Sequence, residues 1–311
     1  MKPTRNGFGD AIVELGKKDE RIVVLSADLT ESVRAAGFRA RFPERFFSFG
    51  VSEQDMMSAA AGFALEGKIA FACTFGVFAT GRAWEQIRTS VAYMNLDVKI
   101  IGSHGGITVG ADGATHQVLE DIALMRILPN MTVVVPCDYY EARQATVAAA
   151  YYPGPVYLRF TRNSVPFLTS EEDEFEIGKA RVMREGKDLT IIACGQMVHH
   201  SLKASDILSQ DGISAEVINL HTIKPLDRNT ILESAEKTGA ILTVEEHQIF
   251  GGMGSAVAEF IVENNPLPMK LMGVRDRFGR SGEPEVLLEA FGLTAEYIVR
   301  EAKLLIEKKA R

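Results

Sequence analysis

The sequence predicts an α/β protein of two domains, each a mostly parallel sheet flanked by helices. Short apolar runs rich in β-branched residues alternate with segments of helical period along the chain. Several runs are apolar at every position, which is typical of strands covered on both faces. Between residues 163 and 188 this alternation stops, and the segment contains proline, glycine and a run of acidic residues. Because strands that alternate with helices pair in parallel, we expect one sheet before this segment and one after it.

The first half begins with a predicted helix over residues 5–16, where Phe8, Ile12 and Leu15 recur at helical spacing. Short apolar strands follow, each leading into a helix or a polar loop. Strands are predicted at residues 22–25, 46–49, 69–74, 98–102, 131–135 and 156–159. Helices are predicted at residues 53–65, up to residue 91, and after residue 135.

The second half repeats this alternation on a smaller scale. Strands are predicted at residues 189–194, 215–220, 240–245 and 269–273. Helices are predicted up to residue 208, from residue 227, and at residues 254–263, 284–291 and 295–308. We therefore assign residues 1–165 to a first domain, 166–186 to a linker and 187–311 to a second domain.

The composition limits the classes of function. A chain of 311 residues with 46% apolar and 24% charged residues is ordinary globular protein. Its net charge of -7 argues against nucleic-acid binding, which needs a basic face. The start lacks an apolar signal core, and no apolar run is long enough to span a membrane. Isolated Cys73, Cys137 and Cys194 fit a reducing cytoplasm, so we expect a cytoplasmic protein without membrane or nucleic-acid partners.

Glu53 lies at the start of an apolar predicted helix. Ser52 is a suitable N-cap, and Asp55 three residues later gives a start like a capping box. The Glu53 carboxylate has two explanations: it complements the helix dipole, or it belongs to a binding site. Phe75 and Phe78, after the next strand, likewise fit either the core or a wall against a flat ring.

Polar and aromatic candidates follow the predicted strands of the first domain. They are Asp28, Glu53, Phe75, Phe78, His104, His116 and Arg162. In open parallel sheets, ligands bind beyond the carboxyl ends of the strands. We therefore expect these residues to share one edge of the first sheet.

A glycine-rich loop over residues 102–113 is predicted to be neither helix nor strand. It and the residues just after it carry His104, Asp112 and His116. These side chains have three explanations: a metal site, histidines that only make structural hydrogen bonds, or contacts to a ligand. The turn at residues 251–254 resembles a phosphate loop but lacks its spacing and lysine, which favours close packing between domains.

Several motifs resemble one known family. They are GVSEQDMMSAAAGFAL, TFGVF, SHGGITVGADGATHQ, LPNMTVVVPCD and GPVYLRFTR, followed by VINLHTIKPLD, TVEEH and GGMGSAVAE. In this order they resemble the pyrimidine-binding domain and then the C-terminal domain of transketolase. The resemblance covers essentially the whole chain and is strongest to the C-terminal section of a split transketolase.

The resemblance implies a site for thiamine diphosphate. Glu53 matches the catalytic glutamate that hydrogen-bonds a ring nitrogen of the aminopyrimidine, where a carboxyl group can share a proton with the ring. Phe78 and Phe75 would pack on that ring, and Asp28 matches an aspartate of the cofactor region. The cofactor would carry out the carbon chemistry, and the protein would tune it.

The resemblance also implies a sugar-phosphate pocket. His104 and His116 match catalytic histidines that contact substrate hydroxyls and serve proton transfer at neutral pH. Asp112 matches the residue that recognises a sugar hydroxyl. The phosphate-binding positions are matched by Arg5, Ser32 and Arg162.

Two features depart from the family pattern. The segment after Phe78 reads ATGRAW where another aromatic is common, so the third wall of the pyrimidine pocket near Gly81 is undefined. The diphosphate and magnesium motif, Gly-Asp-Gly followed by Asn, has no convincing match. We therefore expect half a site, completed by an N-terminal-section subunit that binds the diphosphate and ligates magnesium, in a heterotetramer of two such chains and two partners.

Three functions are compatible with these motifs. The first is transfer of a two-carbon ketol unit from a ketose phosphate to an aldose phosphate. The second is a 1-deoxyxylulose-5-phosphate synthase-like or 2-oxo acid dehydrogenase beta-like subunit; His104, however, stands where that synthase typically has arginine, and the beta subunits carry a different loop. The third is a catalytically idle regulatory partner, which the joint presence of Glu53, His104, Asp112 and His116 argues against.

Overall fold

A computed structural model describes residues 1–309 of the chain. Its helices are α1 (Thr4–Lys18), α2 (Ala36–Arg41), α3 (Glu53–Leu65), α4 (Trp84–Gln86), α5 (Asp121–Arg126), α6 (Tyr139–Tyr151), α7 (Met197–Gln210), α8 (Arg228–Thr238), α9 (Met253–Asn264), α10 (Pro284–Phe291) and α11 (Ala295–Lys309). Its strands are β1 (Ile22–Ser26), β2 (Phe46–Ser48), β3 (Ile69–Phe75), β4 (Val98–Ser103), β5 (Thr132–Val134), β6 (Val156–Arg159), β7 (Arg181–Arg184), β8 (Leu189–Ala193), β9 (Ala215–Asn219), β10 (Thr222–Lys224), β11 (Ile241–Gln248) and β12 (Met269–Val274).

The first sheet has the strand order β10-β5-β6-β4-β3-β1-β2 within the described residues. Strands β1 to β6 pair in parallel, and β10 joins the edge antiparallel to β5. Every residue of β1, β3 and β4 is buried, as their unbroken apolar sequences predict. Helices cover both faces, and α1 packs on α6 so closely that a Cβ on Gly7 would lie 2.3 Å from the Tyr139 carbonyl oxygen.

The second sheet has the order β12-β11-β8-β9-β7, again within the described residues. Its strands are parallel except for β7, which runs antiparallel to β9 at one edge. The predicted fold class, two mostly parallel sheets flanked by helices, is therefore confirmed. Strand β10 lies in the second half of the chain but extends the first sheet, so the two halves share backbone hydrogen bonds.

Four local predictions differ from the structure. Ser52 precedes α3, but its side chain makes no capping hydrogen bond among residues 1–309, since its ψ of 65° is not that of a typical cap. The segment 166–186, interpreted as a linker, contains β7. The helix predicted up to residue 91 is α4 between two π-helical segments, Phe78–Arg82 and Ile87–Ala92.

The fourth difference is the glycine-rich loop, which folds as 3₁₀ turns over Ile107–Asp112 with a kink at Gly110. Gly110 has a φ of +86°, a conformation that glycine adopts without strain, so the turns change direction there. At residues 251–254 close packing is confirmed: a Cβ on Gly251 would lie 2.9 Å from the Ala123 Cβ of the first half.

The described residues include no helix that is both long and apolar enough to cross a membrane. The cysteines Cys73, Cys137 and Cys194 are buried and free of disulfide bonds.

Candidate active site

The carboxyl ends of β1, β2, β3, β4 and β6 lie side by side along one edge of the first sheet. Parallel pairing places the segment after each strand at this edge. Asp28, Glu53, His104 and Arg162 follow these strands and Phe75 ends β3, so the structure brings all five to one rim.

The Glu53 carboxylate is buried at the rim and paired with an arginine. Glu53 is the first residue of α3 and is 1% exposed. Arg82 Nη1 donates to Glu53 Oε2 over 2.8 Å, although the Arg82 side chain is 45% exposed. The Arg82 Cζ also lies 4.4 Å from the centroid of the Phe78 ring. The planar guanidinium group of Arg82 therefore lies over the Phe78 ring and donates a hydrogen bond to the Glu53 carboxylate.

Phe75 and Phe78 form the aromatic wall beside Glu53. Their ring centroids are 5.9 Å apart and their planes differ by 15°. Phe78 begins a π-helical segment, within which Thr80 Oγ1 bonds back to the Gly76 carbonyl over 2.9 Å. Such back-bonding and π turns alter the direction of a helix. Gly81 is exposed and has no side chain, so it adds no wall to this pocket.

His104 joins the aromatic wall to a group of arginines. Its ring stacks on Phe75 with centroids 3.8 Å apart and is 3% exposed. Arg5 Nη1 lies 3.2 Å from His104 Nε2, and Ser103 Oγ lies 2.9 Å from Nδ1. Because a guanidinium group only donates, Nε2 accepts and the proton resides on Nδ1. His104 also has a φ of +61°, a left-handed conformation uncommon outside glycine.

Burial lowers the pKa of His104 to about 3, with further lowering from Arg5 and Arg162. The imidazole is therefore neutral at neutral pH and cannot act there as an imidazolium acid. Of the two histidines expected to serve proton transfer, His104 is thus the neutral imidazole in this state. His116 is half-buried, and its ring meets Phe75 and Phe78 edge-on at 6.2 and 5.6 Å.

Cationic side chains cluster beside His104. Arg5 Nη1 donates to the Ser32 carbonyl oxygen over 2.8 Å, which brings these two predicted phosphate contacts together. Burial, with Arg34 and Arg162 nearby, lowers the pKa of Arg5 to about 10. The buried Nε of Arg5 has no hydrogen-bond partner among residues 1–309. Partly buried guanidinium groups with unused donors suit a phosphate or other small anion.

Asp112 lies at the outer side of this cluster. Arg162 Nη1 donates to Asp112 Oδ1 over 2.8 Å and to the Val109 carbonyl oxygen over 2.9 Å. Residues 1–309 hold no group of three His, Cys, Asp or Glu side chains arranged for a metal ion. Asp28 is exposed on the same rim, with a left-handed φ of 57°.

The rim therefore presents two adjoining surfaces. One is a buried acid beside stacked aromatic rings, suited to a flat nitrogen heterocycle. The other is cationic and suited to a small anion that also carries hydroxyl groups. His104 and His116 lie at the junction between the two.

Two family models match the chain. Residues 1–167 match the pyrimidine binding domain of transketolase, and residues 178–298 match its C-terminal domain. The chain belongs to the transketolase family. The resemblance noted in the sequence motifs is thereby confirmed.

Two transketolase-family relatives match along most of their own length. A protein of Methanocaldococcus jannaschii, named provisionally as a transketolase C-terminal section, is 50% identical over 96% of this chain and 95% of its own. The 6-deoxy-6-sulfo-D-fructose transketolase subunit SqwH of Clostridium sp. (strain MSTE9) is 45% identical over 98% and 95%. A solved structure, a split gene transketolase described as an inactive beta4 tetramer, superimposes with a TM-score of 0.93 at 47% identity and covers 99% of this chain and 100% of its own.

Two residues join this transketolase-family site that the sequence analysis did not single out. Arg82 follows Phe78 by four positions, a spacing that places two side chains on one helix face, so helical periodicity offered a signal. Arg34 has a left-handed φ of 68° and bonds Asn6 through Nε over 3.0 Å. Its approach to Arg5 depends on how the segment after β1 folds back on α1, and nothing local in the sequence signals it.

Proposed function

We propose that the chain is the pyrimidine-binding subunit of a thiamine-diphosphate-dependent transketolase. It would move a two-carbon ketol unit from a ketose phosphate to an aldose phosphate, together with an N-terminal-section subunit. The observation that carries the proposal is the buried Glu53 carboxylate beside the Phe75–Phe78 stack. The near full-length likeness to a transketolase C-terminal section and to a transketolase subunit supports it.

The residues present fit an aminopyrimidine ring. Arg82 lies against Glu53 and over Phe78, and its guanidinium shares two properties with that ring: planarity and N–H donors. A heterocycle in the same place would find an acceptor at its edge and an aromatic face below it. When bound, thiamine diphosphate supplies a thiazolium carbon that acts as the nucleophile in ketol transfer.

The chain's own residues would bind and orient the reactants. Glu53 would accept or share a proton at a ring nitrogen, and its burial keeps water from that contact. Arg5, Ser32 and Arg162 would bind the substrate phosphate. Neutral His104 would accept a hydrogen bond from a substrate hydroxyl at Nε2, in exchange for its present contact with Arg5, while Nδ1 keeps Ser103. Half-buried His116 and exposed Asp112 would contact other hydroxyls.

The diphosphate and magnesium would be bound by the partner subunit. The Gly-Asp-Gly…Asn motif has no convincing match in this sequence, and Asp112-Gly113, its nearest dipeptide, lies in the substrate loop. We propose a heterotetramer in which two of these chains associate and each shares a cofactor with one partner. The two domain assignments, residues 1–165 and 187–311, are part of the same proposal, and the segment 166–186 between them contains β7.

Reconstitution tests this function. The purified chain is assayed for ketol transfer alone, and then with the N-terminal-section subunit, thiamine diphosphate and magnesium. We expect activity only in the complete mixture, since half of the site would otherwise be missing. Strong transfer by the isolated chain would contradict the half-site, and condensation of pyruvate with an aldose phosphate would instead identify a 1-deoxyxylulose-5-phosphate synthase-like enzyme.

A matched pair of variants tests Glu53. Asp55 lies in the same first turn of α3 and is exposed, so it shares the dipole effect but not the pocket. Glu53→Gln is expected to lower kcat at least about a hundredfold, the usual scale for losing a proton-transfer group. Asp55→Asn is expected to leave kcat unchanged. Full activity of Glu53→Gln would favour the idle-partner function.

A further inference from the structure

The C-terminal domain contacts the loop that carries His104 through two buried side chains. Glu246 on β11 accepts a hydrogen bond at Oε1 from the Thr108 backbone N–H over 2.6 Å. Gln196, just before α7, donates through Nε2 to the other Glu246 oxygen and lies 2.8 Å from Thr108 Oγ1. The loop is therefore bound by the opposite domain at a carboxylate whose two oxygens both have donors.

The loop backbone lies directly against this carboxylate. A Cβ on Gly106 would be 2.2 Å from Glu246 Cδ, so only glycine allows the observed approach. Gly106 also has a φ of +84°, which other residues rarely adopt. His104 is two residues away, and its own left-handed backbone depends on the path of the loop.

Gln196 also contacts the segment that carries Arg162, at the other side of the substrate pocket. Asn163 Nδ2 donates to Gln196 Oε1 over 2.7 Å. Asn163 is the neighbour of Arg162, which binds Asp112. One small network of the C-terminal domain thus holds both the loop with His104 and Asp112 and the segment with Arg162.

We propose that Glu246 is a positioning residue through which the C-terminal domain sets the geometry of the substrate pocket. The proposal rests on the proposed function, because the pocket in question is the sugar-phosphate site. It gives the C-terminal domain a part in catalysis without any contact between that domain and the substrate. Small displacements of binding groups are costly in enzymes, since about 1 Å of misplacement reduces rates by up to about a hundredfold.

The neighbouring residue provides a matched control. Glu245 is also a buried carboxylate on β11, and it accepts backbone N–H bonds from Met253 over 2.7 Å and Gly254 over 2.8 Å. Successive strand residues point to opposite faces of the sheet. Glu245 therefore binds the start of α9, within its own domain, and does not contact the loop. Glu245→Ala and Glu246→Ala therefore remove the same chemistry from the same strand, and only Glu246→Ala removes the contact to the loop.

Kinetics of the reconstituted complex test the proposal first. Glu246→Ala is expected to lower kcat/KM for a ketose phosphate at least about tenfold, while the thiamine diphosphate concentration for half-maximal activity stays within about twofold. Glu246→Gln is expected to recover most of this loss: its oxygen can accept from Thr108, and rotated Gln196 and Asn163 amides can satisfy the rest. Asn163 Oδ1 is free to take part, since it has no partner among residues 1–309.

Hydrogen–deuterium exchange of the isolated chain provides a readout that does not require activity. We expect Glu246→Ala to speed exchange in the peptide containing Thr108, and Glu245→Ala to speed exchange at the start of α9 instead. Wild-type kinetics and exchange in Glu246→Ala, or equal loop effects in both variants, would overturn the proposal. If the wild-type complex transfers no ketol group, the proposed function fails, and the exchange experiment still decides whether Glu246 holds the loop.

Discussion

Arg82 Nη1 donates to Glu53 Oε2 over 2.8 Å, which joins an exposed cation to a carboxylate that is 1% exposed. In this ion pair Arg82 contacts the Glu53 carboxylate oxygen that the ring of the proposed cofactor would contact. A charge this buried is costly to leave unpaired, so the arginine stabilises the cofactor-free chain. For a ring nitrogen to hydrogen-bond Glu53, the Arg82 side chain has to leave this position.

Arg82→Ala is accordingly expected to change stability and cofactor affinity in opposite directions. The free energy of unfolding, measured with urea, should fall by about 1 kcal/mol or more because the buried Glu53 carboxylate loses its partner. The reconstituted complex should bind thiamine diphosphate several-fold more tightly, measured by titration of activity. Arg88, an exposed arginine in the next π-helical segment, is the control. Weaker cofactor binding in Arg82→Ala would show that the arginine itself contacts the cofactor.

Arg5→Ala is expected to reduce selectivity for phosphorylated sugars. Arg5 is half-buried beside Ser32 with Arg34 and Arg162 nearby, so we expect this group of cations to bind phosphate. We expect KM for an aldose phosphate to rise about tenfold to a hundredfold, as charged hydrogen bonds are worth about 1.5–3 kcal/mol. The KM of the unphosphorylated aldose should change little. Arg39→Ala, which removes an exposed arginine paired with Glu31, is the control; equal losses for both sugars would contradict the prediction.

His104 should make the chain less stable in acid. Burial lowers its pKa to about 3 in the folded state, against 6.5 for the free side chain. Between these values the unfolded chain binds more protons, so this contribution is fully present above pH 6.5 and is lost as pH falls, by at most about 1.4 kcal/mol per pH unit. His104→Asn should flatten the fall in unfolding free energy between pH 7 and 5, measured with urea. Parallel curves for the variant and the wild type would show that His104 does not contribute.

Glu141 should have the opposite pH dependence. Burial raises its pKa to about 7, although the Cys137 N–H and Asn219 Nδ2 donate to its oxygens over 2.6 and 2.7 Å. Here the folded chain binds more protons than the unfolded chain between pH 4.5 and 7. The contribution of Glu141 to the free energy of unfolding is therefore fully present below pH 4.5 and is lost as pH rises to 7.

Glu141→Gln is therefore expected to gain stability relative to the wild type as pH rises from 5 to 8. The amide is neutral throughout, and Asn219 can rotate to present its Oδ1, which has no partner among residues 1–309. Urea unfolding of the two proteins at pH 5, 6.5 and 8 measures the difference. A constant difference across this range would contradict the raised pKa.

Much of the fold was predictable because its signals are local. The apolar runs that became β1, β3, β4 and β8 are buried throughout, and their patterns identify them without reference to any partner. Strand β7 and strand β10 were missed because both are short edge strands, which complete a sheet through pairing and carry a weak pattern of their own. The Ser52 cap failed for a related reason, since a side chain's suitability for a cap does not determine the backbone angles at that residue.

The candidate site was predictable only in part. Residues that follow parallel strands necessarily share one edge, so Glu53, Phe75 and His104 were placed together from the order of elements alone. The protonation state of His104 could not be predicted from the sequence, because it depends on burial and on arginines contributed by other segments.

The amino-acid sequence by itself determined the order of the helices and strands other than β7 and β10, the family, and which side chains reach the carboxyl edge of the first sheet. These follow from periodicity and motifs, which depend on residues close together in the chain. Only the tertiary structure decided that Arg82 pairs with Glu53 across 29 positions and that Glu246 binds the Thr108 backbone across 138. Such contacts depend on how packed elements bring distant atoms within hydrogen-bonding distance, and no local pattern encodes that distance.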